Sequence, residues 1–328
     1  NGTWTVRDSA FRENTALGSD RTLNWPNDTG DVGGGGVASG FGGPPAYELT
    51  AINTEFSGNL ADNGGVANAL FDTHEAYTVN CTNCLFEENA AFEGGVSRGG
   101  TWNVVQSVFL DNDAFGEAGV AVGGKWTVEL STFAKNGVGF NEPRRGRTAV
   151  NGPSTPARWT IRDSVFTDRD FVPINGALEE EYQLDIAYPQ DGFPSYNLLS
   201  AETFTANQED LETFFANRTD ADGNPLLGTY LLTATADSPF ANVDDPEGPD
   251  KTWGTADDGL RLREGSPAAD LGDAIRLPAD EYDLDGDGQT AELSTDFTYI
   301  RVVDLASGSL SGSLPPRIKS ATGDDRYD

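Results

Sequence analysis

Trp102-Asn-Val-Val-Gln-Ser-Val-Phe109 is followed, after a Gly-rich step, by Trp126-Thr-Val-Glu-Leu-Ser-Thr-Phe133. The same phrase stands at Trp4-Thr-Val-Arg-Asp-Ser-Ala-Phe11, Leu49-Thr-Ala-Ile-Asn-Thr-Glu-Phe56, Val79-Asn-Cys-Thr-Asn-Cys-Leu-Phe86 and Trp159-Thr-Ile-Arg-Asp-Ser-Val-Phe166. The copies that begin at Val79, Trp102 and Trp126 are 23 and 24 residues apart, and the wider gaps hold Gly/Pro-rich insertions. Three residues beyond each Phe comes Asn (Asn14, Asn59, Asn89, Asn112 and Asn136), until the sixth copy places Arg169 there. A Gly-rich step with Val and a small residue then recurs at Val37-Ala38, Val66-Ala67, Val96-Ser97 and Val120-Ala121. Self-similarity at such a period marks a repeat architecture.

Parity supplies the geometry. Trp4 and Val6 share one face of a strand, as do Ser9 and Phe11, but Val6 and Ser9 are an odd number of residues apart. Side chains alternate along a strand, so both pairs point inward only if the chain bends at Arg7-Asp8. The odd step from Phe11 to Asn14 marks a second corner, and the Gly-Gly-Val step supplies a third strand. The expected fold is all-β: a right-handed parallel β-helix (β-solenoid) with three short strands per coil and long loop insertions. Each inward position then becomes a column: Phe, small residues (Ser9, Thr54, Cys84, Ser107, Ser131, Ser164) and Asn. A structural ladder of Asn14, Asn59, Asn89, Asn112 and Asn136 suits a corner, because the amide can bond its neighbour and the backbone that the bend leaves unpaired.

The composition agrees with this narrow, turn-rich design. The 328 residues include 39 Gly, only 37% are hydrophobic, and 21 basic against 53 acidic side chains give a net charge of −32. Such a balance argues against nucleic-acid or anionic-lipid partners, which need clustered Lys and Arg. No apolar run reaches the length of a membrane span. Methionine is absent even at position 1, so the sequence is expected to be a processed or trimmed piece of a longer precursor. The acidic, Lys-poor surface fits a salty or calcium-rich exterior. Sequons at Asn1, Asn27, Asn80 and Asn217 allow glycosylation. The two cysteines, Cys81 and Cys84, occupy the Val and Ser slots of the third copy. On a straight strand they lie too far apart to bridge, but the inferred bend falls between them, so a local disulfide and two buried thiols both stand.

The repeat W-x-V-x-x-S-x-F-x-x-N-x-A…GG-V resembles the right-handed parallel β-helix repeats of the pectate-lyase-like superfamily. It is most similar to the polymorphic outer-membrane-protein type and to bacterial surface-anchored β-helix proteins. Ser195-Tyr-Asn-Leu-Leu199, Gly223-Asn-Pro-Leu-Leu-Gly228, Trp253-Gly-Thr-Ala-Asp-Asp-Gly259 and Gly265-Ser-Pro-Ala-Ala-Asp-Leu-Gly272 resemble the closing coils of such proteins. The resemblance implies an extracellular or cell-surface, secreted and usually non-enzymatic protein. Insertions at 17–46, 139–157 and 167–194 depart from it. The expected organisation is β-helix repeats over 1–172, closing coils with long loops over 173–275, and a C-terminal segment over 276–328.

That last segment carries Asp283-Leu-Asp285-Gly-Asp287-Gly-Gln289. Alternating Asp followed by Gly matches the start of a calcium loop. Position 12 is Ser294 in place of the bidentate Glu, so the ligands expected for Ca2+ are Asp283, Asp285, Asp287, Gln289 and Glu292. Asp220, Asp222, Asn224, Asp257 and Asp258 form weaker groups.

Catalysis is not expected. Lyases of this fold pair calcium-binding acids with an Arg or Lys base, whereas Arg7 and Arg162 sit beside Asp8 and Asp163 at a corner and read as solvated pairs. Hydrolases of the fold carry paired Asp and a His-Gly segment, whereas His74 is followed by Glu75. Arg317-Ile-Lys319 resembles a hydrolase tripeptide but lies beyond the repeats. A structural surface or filament subunit is the expected function. The alternative is an adhesin that takes a surface glycan, for which Tyr182, Tyr188 and Tyr196 are a candidate aromatic row. The cationic run Arg144, Arg145 and Arg147 is the candidate self-association dock, meeting a neighbour's Asp-rich loop head to tail.

Overall fold

The computed structural model describes residues 3–17, 35–40, 47–69, 77–116, 118–138, 145–146, 149–150, 158–162, 164–166, 183–185, 198–200, 230–232, 238–250 and 259–263. Among them the chain is all-β, in a twelve-, a six- and a five-stranded sheet. Within the sheets all strand pairings but one are parallel; Gly137–Val138 meets Arg145–Gly146 antiparallel. The described residues of coils 1 to 6 fall within 3–40, 47–69, 77–98, 101–122, 125–150 and 158–166, and their paired strands lie in register on those of the coil before. Trp102 pairs with Val79 and Trp126, and Phe109 with Phe86 and Phe133. The molecule is a parallel β-helix.

The bend required by parity falls one residue before the Ser slot. Asp8, Asn53, Asn83, Gln106 and Leu130 occupy it with φ of 46°, 50°, 51°, 49° and 51°. One left-handed residue reverses the alternation, and Asn and Asp tolerate that conformation best. A second left-handed column precedes the Asn slot: Glu13, Gly58, Glu88, Asp111 and Lys135. The three strands differ in one respect from the expected ones. The Trp and Phe segments share the large sheet, and in coils 1 to 3 a single strand runs through the bend (Thr3–Arg12, Tyr47–Ser57, Tyr77–Glu87). The second sheet comes instead from residues after the Asn: Thr15–Ala16, Leu60–Asn63, Ala90–Glu93, Asp113–Ala114 and Gly137–Val138. The Gly-Gly-Val step leads into the third, Ala38–Gly40, Ala67–Ala69, Ser97–Arg98, Ala121–Val122 and Ala149–Val150.

Parallel strands lie about 4.8 Å apart, close to the separation at which aromatic rings stack. Ring centroids in the Phe column are 5.3, 4.9, 4.5 and 4.4 Å apart from Phe11 through Phe56, Phe86 and Phe109 to Phe133. Trp102, Trp126 and Trp159 stack at 4.6 and 4.7 Å. Each indole also meets the Phe of the preceding coil edge to face, Trp102 on Phe86 and Trp126 on Phe109, both at 5.9 Å. Such pairs add about 0.5–1.5 kcal/mol beyond burial. They help offset the indole N–H groups of Trp102 and Trp126, which are buried without a hydrogen-bond partner among the described residues.

The large sheet continues past the sixth coil, with Gln183–Asp185 on the Trp side and Leu198–Ser200 then Tyr230–Leu232 on the Phe side. The outward cover of the large sheet was not anticipated. The outward face of the Phe strands is also apolar. Leu85, Val108, Leu110, Ala134 and Val165 are fully buried there beneath Phe240 and Leu260. The covering segment is a two-legged strap whose legs pair antiparallel, Phe240 with Leu262. Ala241 N donates to Arg261 O and Asn242 N to Gly259 O, both at 2.8 Å. Gly259 is required, since a Cβ there would run into the carbonyl oxygens of Asn242 and Asp245.

Trp126→Ala should lower unfolding stability by about 3–5 kcal/mol, because it opens the stack on both sides. Trp4, 63% exposed at the head of the same column, should lose under about 1 kcal/mol as Trp4→Ala. Urea unfolding of the two variants checks the contrast.

Candidate functional site

The Asn side chains form one continuous polar ladder. Asn14 Nδ2 donates to Asn59 Oδ1 at 2.8 Å, Asn59 to Asn89 at 2.8 Å, Asn89 to Asn112 at 2.9 Å and Asn112 to Asn136 at 2.8 Å. The second Nδ2 hydrogen reaches back to the Phe carbonyl of the preceding coil, as from Asn112 to Phe86 O at 2.8 Å. The Oδ1 of Asn59, Asn89, Asn112 and Asn136 also accepts a backbone N–H, as Asn112 Oδ1 does from Asn89 at 3.1 Å. Full satisfaction is what a buried amide needs. The ladder has a direction, with donors facing the C-terminal coils and acceptors facing the first coil. A second polar column runs along the bends, where Asn53 donates to Asp8 at 3.1 Å and Asn83 to Asn53. Asp8, expected in a solvated pair with Arg7, is thus also tied into this column.

The small-residue column works the same way. Ser107 and Ser131 each accept the backbone N–H of the previous coil, from Cys84 and Ser107, at 3.1 Å. Each donates across its own bend, to Val105 O at 2.9 Å and Glu129 O at 2.7 Å. Cys81 and Cys84 are buried free thiols. Burial pushes the Cys81 thiol up, and its contact with Cys84 adds to the shift. Tyr77 is buried with its hydroxyl 3.0 Å from Ser97 Oγ and Gly99 O, beneath Gly100, where a Cβ would run into its ring.

The first coil presents the acceptor end of the Asn ladder and of the Ser column. Thr3–Arg12 pairs only with Tyr47–Ser57, and Thr15–Ala16 and Ala38–Gly40 are likewise outermost in their sheets. Trp4 is the only large hydrophobic residue strongly exposed among those described. Asn14 Oδ1 and Ser9 Oγ accept no hydrogen bond from any described residue. Behind this edge, Arg12 clasps Glu55 at 2.7 and 2.5 Å, and the pair raises the Arg12 pKa further. Chemically, the edge offers rings and acceptors where a further coil would bring rings and N–H donors. The columns were legible from the repeat, but their polarity follows only once the amides are oriented.

The other expected sites fall differently. Asp283, Asp285, Asp287, Gln289 and Glu292 lie outside the described residues, as do Arg144, Arg147, Tyr182, Tyr188, Tyr196, Asp257, Asp258, His74 and Asp163. Arg145 contributes backbone to the antiparallel pair with Val138. Among the described residues no three His, Cys, Asp or Glu side chains gather where a metal could be held, and no helix is long and apolar enough to cross a membrane. No family model, curated protein or solved structure matches the chain.

Asp113, 5% exposed beside the Asn corner, has its pKa pushed up to about 6 by burial, against the pull of the Ala114 N–H. The folded state therefore binds this proton more tightly than the unfolded chain, whose Asp titrates near 3.9. Its favourable contribution is complete below about pH 4 and is lost as pH rises through about 6. Asp113→Asn should raise the melting temperature at pH 8, with the gain shrinking toward pH 4; melting curves across that range check it.

Proposed function

We propose that the protein is a non-catalytic, extracellular structural β-solenoid, a cell-surface or fibre subunit that associates head to tail with its own kind. The observation that supports this reading is the first-coil edge, where aromatic faces, strand hydrogen-bonding groups and the Asn14 and Ser9 acceptors that no described residue fills converge. A second copy approaching along the helix axis brings its last coils to that edge. The outermost strands of the large sheet at the far end are Gln183–Asp185 and Tyr230–Leu232. Such a contact does not close on itself and propagates. The likeness of the repeat to pectate-lyase-like surface proteins supports the extracellular placement, and the charge of −32 keeps sideways contacts repulsive.

Light scattering across protein concentration and salt tests the assembly. Particle size should grow with concentration, and Trp4→Arg with Asn14→Ala should keep the protein monomeric. A wild-type monomer under every condition would overturn head-to-tail association. The adhesin alternative predicts retention on immobilised glycans instead.

Calcium at Asp283, Asp285, Asp287, Gln289 and Glu292 completes the proposal, since an ion would relieve the repulsion among those carboxylates. Chelation should then lower the melting temperature by ordinary linkage; identical curves in calcium and in chelator would remove the ion from the account.

A further inference from the structure

Cys81 and Cys84 are the only cysteines in 328 residues, and they flank one bend of one coil. Their slots are otherwise filled by residues that need no partner in sequence. Val6, Ala51, Val104, Val128 and Ile161 stand where Cys81 stands, and Ser9, Thr54, Ser107, Ser131 and Ser164 stand where Cys84 stands. Both thiols belong to the same core cluster and are buried. The left-handed residue between them, Asn83 at φ 51°, is what turns both side chains inward.

The bend of coil 3 is also the weakly tied one. In coils 4 and 5 a hydroxyl bridges it, with bonds of 2.9 and 2.7 Å to the carbonyl two residues back. In coil 3 the Cys84 thiol lies 3.5 Å from Thr82 O and 3.5 Å from Ala51 O, and a thiol is the poorer donor.

We propose that Cys81 and Cys84 close into a disulfide across this bend, a covalent lock that replaces the missing hydroxyl tie. The oxidant is a small-molecule disulfide. One cysteine thiolate attacks it and displaces a small thiolate, leaving a mixed disulfide. The second cysteine, after losing its proton, attacks the protein-side sulfur and displaces the other small thiolate. The protein gives up two protons and two electrons, and the oxidant leaves as two thiols. Because both sulfurs are buried, exchange runs through an opened coil, and the bridge once closed is shielded from reductant.

The experiment refolds the full chain with oxidised glutathione or with dithiothreitol, then denatures it and adds iodoacetamide. After oxidised glutathione neither cysteine should be alkylated, and after dithiothreitol both should be. The oxidised form should melt about 2–5 °C higher, as expected for a short bridged loop in a chain of this size. The double variant Cys81→Val, Cys84→Ser carries residues found in the same slots of other coils, and it should melt alike in both conditions. Alkylation of either cysteine after oxidised glutathione, a retained glutathione or a bridge between two chains would overturn the proposal. A bridged form that melts no higher than the reduced one would overturn the lock.

Discussion

Everything in this molecule depends on the in-register hydrogen bonding of parallel strands. Once one coil lies directly on the next, each residue has the same slot above and below it at one strand spacing. That distance suits a ring on a ring and an amide on an amide. Phe109 between Phe86 and Phe133, and Asn112 between Asn89 and Asn136, are two uses of one repeat distance. The cohesion is therefore the same pair interaction made again at every coil, which is why a chain only 37% hydrophobic builds a continuous buried core.

The corners carry the complementary constraint. A strand alternates its faces, so a coil that points Trp, Val, Ser and Phe all inward must break the alternation once between Val and Ser. The break costs a left-handed residue at every coil, and the chain fills most of those places with Asn, Asp or Gln, whose short polar side chains ease that conformation or bond along the column. Leu130 is the exception: a branched apolar residue at φ 51°, held there by the coils on either side.

This arithmetic explains what could be read from the residues alone. The bend beside Asp8, the Phe column and the Asn ladder all follow from odd and even spacing within Trp4–Asn14, and the later copies repeat it, the sixth without its Asn. The second sheet was less legible because its strands, such as Asp113–Ala114, are two to four residues long and their composition varies from coil to coil. The strap was illegible for a different reason. Leu85, Val108 and Val165 are outward positions by parity, and nothing local says that Phe240, far along the chain, covers them. Candidate sites on single loops, such as Asp283–Asp287, have no repeat to cross-check them.

The strap changes the mechanics of the solenoid. A stack of coils is a one-dimensional series of contacts in which each coil feels only its neighbours, so under tension its ends would peel one coil at a time. Phe240 and Leu260 share one buried cluster with side chains drawn from coils 3, 4, 5 and 6. They fasten those coils in parallel rather than in series, as a splint does across several joints. Force along the axis must shear the whole strap before any of these coils can part.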